Sequence, residues 1–67
     1  MGLYELAERR ESGLVVRLLW DARRDQAVLR YRDRLTCEFF VTDVPNPRAL
    51  EAFRHPNLFR PSERLAA

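Results

Sequence analysis

The reactive chemistry of this 67-residue chain rests on twelve basic residues, all of them arginine, ten acids, one histidine and one cysteine. Acid–base catalysis needs two titratable groups converging on a pocket. Asp21, Asp25, Asp33 and Asp43 instead fall in polar connections, where their turn-forming chemistry accounts for them. Glu38 and Glu51 fall on solvent-facing positions, and Ser12 lies in a turn with no histidine placed beside it. His55 belongs to a helix end, where its protonated form would suit the dipole. One His and one Cys do not make up a metal set or a disulfide framework. With only two glycines, Gly2 and Gly13, there is no phosphate-cradling loop. The expectation is a chain with no catalytic residues, no cofactor, no metal and no small-molecule substrate.

The arginines offer a second kind of chemistry, since a guanidinium fork matches phosphate and carboxylate. Arg17, Arg30 and Arg32 share one face of the expected sheet with Phe40, a mixture that single-strand nucleic-acid platforms use. Against it stand a net charge of only +2, a single ring, and Glu38 among the arginines. Nucleic acid is therefore the alternative partner. The absence of lysine beside abundant Ala and Leu also fits a GC-rich coding source. Arg9-Arg10 and Arg23-Arg24 read as solvated turn or edge charges.

These side chains must be positioned by short elements. Leu14–Trp20, Ala27–Arg32 and Thr36–Thr42 alternate as strands, separated by polar connections. Residues 1–13 fit either a helix, from Leu3, Leu6 and Ala7 with the Glu5/Arg9 pair, or a further strand over about Leu3–Arg9. The strand is favoured because Ser12-Gly13 is hairpin chemistry leading straight into Leu14. Matching like faces gives inner rows Trp20–Ala27–Val41, Leu18–Leu29–Phe39 and Val16–Tyr31–Cys37, with Cys37 a buried, inert thiol. The outer rows become Leu19–Val28–Phe40 and Arg17–Arg30–Glu38, in which Glu38 relieves the two arginines. Asn46 reads as an N-cap and Pro47 as the first residue of a helix to about Arg54 that Pro56 ends. Ala49, Leu50 and Phe53 form its inward stripe, Leu58 and Phe59 cover the core end, and the tail 60–67 frays.

The expected fold is thus α+β: one domain over residues 1–67, a small antiparallel β-meander of three strands or four, with one C-terminal helix on one face. Val16-Arg17-Leu18-Leu19-Trp20-Asp21, a meander, then Arg48-Ala49-Leu50-Glu51-Ala52-Phe53-Arg54-His55-Pro56 resembles small uncharacterised proteins of GC-rich, actinobacteria-like bacteria. Those proteins show a V-R-L-x-W-D stretch and an R-A-L-x-x-F-x-H-P tail. The resemblance implies this fold and a bacterial source, and brings no activity with it. Asn57-Leu58-Phe59 departs from the aromatic that often follows H-P in them.

A helix on one side leaves the other sheet face in water, yet that face carries Val15, Leu19, Val28 and Phe40. Apolar side chains rimmed by arginines mark an interaction surface. A chain this short also has a marginal core. The functional expectation is a self-associating interaction or adaptor domain, a homodimer or the binder of a protein partner. No apolar stretch approaches a membrane span and no secretory leader is visible, so the expected location is the cytoplasm.

Overall fold

Four strands follow one another as a meander: β1 (Leu3–Glu11), β2 (Leu14–Asp21), β3 (Gln26–Asp33) and β4 (Glu38–Val44). Each runs antiparallel to its predecessor, in sheet order β1-β2-β3-β4. A 3-10 turn (Asn46–Arg48), a helix α1 (Ala49–Arg54) and a second 3-10 turn (Pro56–Phe59) follow. This computed structural model describes residues 2–61. The fraying expected of the tail concerns, from residue 62 on, positions outside them. Arg60 is anchored: it bonds Glu38 (3.2 Å) and lies over the rings of Tyr31 and Phe40.

The N-terminal segment joins the sheet as an edge strand, as its hairpin chemistry leads one to expect. Ser12 (φ 47°) and Gly13 (φ 86°) both take positive φ, which a tight primed turn requires and which suits the twist of the flanking strands. A bulge between Glu5 and Ala7 leaves Leu6 unpaired. Between β2 and β3 the expected register is found, with Val16 opposite Tyr31, Leu18 opposite Leu29 and Trp20 opposite Ala27.

β4 departs from expectation by three residues. Tyr31 faces Phe40, Leu29 faces Thr42 and Ala27 faces Val44. An odd shift turns a strand over. Phe40, Thr42 and Val44 therefore face the core, while Phe39, Val41 and Asp43 face outward. The cause is the β3–β4 connection, a four-residue turn over 34–37. The Asp33 carboxylate accepts the Leu35 and Thr36 N–H groups (2.9 and 3.3 Å), and Cys37 adopts φ 63°. Cys37 thus sits exposed in a turn and is not a buried thiol.

The core lies between the inner sheet face and the C-terminal segment. Val16, Ala27, Leu29, Tyr31, Val44 and Ala52 are buried together, with Leu14, Trp20, Phe40, Ala49, Phe53 and Phe59 packed against them. Phe40 stacks on Tyr31 at 4.8 Å between ring centroids. From α1 it is Ala52 that inserts fully, because a helix so close to the sheet leaves room for a methyl group. Leu50 (64% exposed) and Leu58 (66%) point away, contrary to the expected stripe and cover. Arg9 lies on the inner face beside Val16, its guanidinium 5.7 Å from the Phe53 ring centroid.

Asn46 fastens the C-terminal segment to the sheet. Its side chain makes no cap bond. Instead Oδ1 accepts the Ala27 N–H (2.8 Å) and Nδ2 donates to the Asp25 carbonyl (2.9 Å). The expected N-cap is therefore a cross-link that satisfies backbone groups at the start of β3.

Candidate interaction surface

The sheet face opposite α1 is formed by alternate residues of all four strands. Its cross-strand rows, read from β1 to β4, are Arg10–Val15–Arg32–Phe39, Glu8–Arg17–Arg30–Val41 and Glu5–Leu19–Val28–Asp43. Of the four apolar residues expected there, Val15, Leu19 and Val28 are present; Phe40 is not, because β4 is turned over. Val28 is 5% exposed although no helix covers it. Phe39 (55% exposed) and Val41 (49%) stand out from this face. The apolar area has therefore moved toward the β4 edge, and the row through Leu19 and Val28 ends in a carboxylate.

The three arginines expected together do share this face, with unequal surroundings. Arg17 and Arg30 are directly opposite, an arrangement that repels. Glu8 of β1 relieves it: Arg17 Nε donates to Glu8 Oε2 at 2.9 Å, and Glu5 lies at 3.6 Å. Glu38, expected in this role, faces the other side and bonds Arg60. The Arg17 and Arg10 guanidinium groups hold the Glu8 carboxyl below its usual range. Among the described residues, Arg30, Arg32 and Arg34 have no carboxylate within 4.0 Å. Arg30 lies 5.7 Å from the Phe39 ring centroid.

The opposite end of the face is closed by a clamp formed by Arg24, an arginine expected to be a solvated turn charge. Arg24 in the β2–β3 turn donates through Nη1 and Nη2 to both oxygens of Asp43 (2.9 Å each) and through Nε to Asp21 (2.7 Å). Asp21 also accepts the Arg23 and Arg24 N–H groups, so the turn itself aims the guanidinium. These bonds hold the Asp21 and Asp43 carboxyls below their usual range and raise Arg24. Turn chemistry was visible in Asp21; the reach from Arg24 to Asp43 depends on the β4 register and was not.

Two grooves flank the free arginines. One, of about 330 Å³, is lined by Arg10, Val15, Arg17, Arg30, Arg32 and Arg34. Its neighbour, of about 520 Å³, brings Phe39 and Cys37 up to Arg30, Arg32 and Arg34, with Asp33 and Glu38 also in its wall. Among the described residues no cluster of three or more His, Cys, Asp or Glu could hold a metal ion. None of the described helices is long and apolar enough to cross a membrane.

The two edges of the sheet differ. β1 carries Glu5, Glu8, Arg9, Arg10 and Glu11 and is broken by the bulge at Leu6. β4 is regular and presents Phe39-Phe40-Val41-Thr42 between Glu38 and Asp43. Comparison of the chain with protein-family models, with curated proteins and with solved structures finds no match.

Proposed function

We propose that this is a small self-associating interaction domain whose β4 edge pairs with the β4 edge of a second copy. The observation that carries the reading is the uncharged run Phe39–Thr42 on a strand that, among the described residues, pairs with β3 alone. Unpaired strand edges present rows of N–H and C=O groups, and folded proteins guard them with charge, bulges or cover. β1 has two of these guards. β4 has neither in its central four residues. Antiparallel pairing across a two-fold axis gives both copies the same contacts and continues one sheet through eight strands. Exposed Phe39 and Val41 then flank the junction on the outer face. The reading is of a binding role in place of a catalytic one. A reducing compartment such as the cytoplasm suits a chain with one exposed thiol, Cys37.

Gel filtration with light scattering tests it. The expected mass at high micromolar concentration is twice the 8.0 kDa of the chain. Val41→Glu places a charge at the junction, opposite Arg30 of its own sheet, and yields a monomer that stays folded by circular dichroism. A parent protein that runs at 8.0 kDa sinks the proposal.

A further inference from the structure

We infer that the arginine-lined end of the open sheet face binds single-stranded nucleic acid, with phosphates on Arg30, Arg32 and Arg34 and a base on Phe39. The inference goes beyond self-association, since every group it uses comes from one chain and from a face that edge pairing leaves open.

The charge on this face is polarised. At one end five arginines line a single groove; Glu8, bonded to Arg17 and Arg10, and Glu5 lie beside it, and Asp33 and Glu38 line the neighbouring groove, where Asp33 accepts the turn N–H groups and Glu38 bonds Arg60. At the other end one arginine answers two aspartates. Among the described residues Arg30, Arg32 and Arg34 are the arginines of this face with no carboxylate within 4.0 Å, free to meet a ligand. They come from alternate positions of β3 and the turn after it, so they follow a line, and they border both grooves. A linear polyanion fits a line of guanidinium forks better than a compact anion does.

Phe39 distinguishes a nucleic acid from an acidic peptide. Its ring stands on the same face, half exposed, opposite Arg32 and within 5.7 Å of the Arg30 guanidinium. A ring beside arginines on an open antiparallel sheet offers stacking to an unpaired base, and single strands supply such bases where duplexes hide them. An acidic peptide would use the forks and leave the ring idle.

The experiment is fluorescence anisotropy of the full chain with labelled RNA and DNA single strands of about ten nucleotides, a span typical of sheet-based binders, and with a duplex of the same length. Either single strand should bind at least roughly tenfold more tightly than the duplex. Affinity should fall with salt, and Arg32→Ala should make that dependence shallower by about 0.7 in the log–log slope. Phe39→Ala should weaken binding by roughly tenfold and leave the slope unchanged. Arg24→Ala, at the acidic end, should leave binding as it was. Retained far-ultraviolet circular dichroism shows that each variant is folded; Arg34→Ala repeats the slope test from a turn position. Three results would each overturn the inference: no saturable binding at low salt, equal affinity for the duplex, or equal competition by poly-glutamate with Phe39→Ala neutral.

Discussion

The two edges of this sheet are both hairpin strands, one after a two-residue turn and one after a four-residue turn, and they end in opposite chemical states. β1 alternates acids and arginines and gives up one residue to a bulge. β4 keeps an unbroken register and runs Phe39-Phe40-Val41-Thr42 without a charge, with Phe39 and Val41 exposed. A strand that pairs on one side only is a template for another strand. The difference shows that openness alone does not make an interface. What marks β4 is a central run, Phe39–Thr42, without the charges and the bulge that interrupt β1.

The largest effect expected concerns which residues of β4 belong to the fold and which to its surface. Phe40→Ala removes the ring stacked on Tyr31 and should cost about 3 kcal/mol. Phe39→Ala, one position away, should change stability by no more than about 0.5 kcal/mol. Both are best measured by denaturant melts in the Val41→Glu background, where association does not add to stability. Were the two costs exchanged, β4 would lie in the other register, and the β4 edge would present a different face to a partner.

This pair of residues also shows where the sequence was legible. The β2–β3 register followed from alternation, because Val16, Leu18 and Trp20 leave Arg17 on the other side. Along β4 both faces are apolar: Cys37, Phe39 and Val41 fill one core set as well as Phe40, Thr42 and Val44 fill the other. Hydrophobic pattern could not choose between them. The choice was made in the turn, by the Asp33 carboxylate and by positive φ at Cys37, a residue type that gives no sign of it. From that one shift follow the exposure of Cys37, the loss of Phe40 from the outer face and the partners of Glu38. The arginine face survived because Arg17, Arg30 and Arg32 lie on β2 and β3. Their counter-charge did not, since Glu8 comes from a segment that fitted two structures.

A smaller effect separates the two ends of the open face by pH. Asp21 and Asp43 are held below their usual value of 3.8 by Arg24, and Glu8 below 4.5 by Arg17 and Arg10. Groups depressed in the folded state stabilise it above their unfolded values, and that contribution disappears as pH falls through the folded ones. Stability should therefore decline on acidification below about pH 4.5, through Glu8 at the β1 side and through the aspartates at the other end. Arg24→Ala and Glu8→Gln should each make the decline shallower. Thermal melts between pH 2 and 6 read both; a decline as steep as the parent's in both variants would show that neither cluster titrates as its bonds imply. All of these pairs are solvent-exposed, so salt should shrink the differences.

The smallest effect belongs to Leu6. Deleting it lets Glu5 and Ala7 follow each other opposite Leu19 and Leu18, which restores strict alternation and removes an exposed leucine. Stability should stay within about 0.5 kcal/mol of the parent. The deletion also makes β1 as regular as β4 while keeping its charges, so it isolates one of the two guards. If charge is the guard that matters, the shortened chain should remain at the parent's mass in light scattering. Growth into longer assemblies, each copy joined through both edges, would instead assign the protection of β1 to the bulge. Charge at an edge would then be a weaker barrier than the contrast with β4 implies, and Val41→Glu should leave a measurable fraction of dimer.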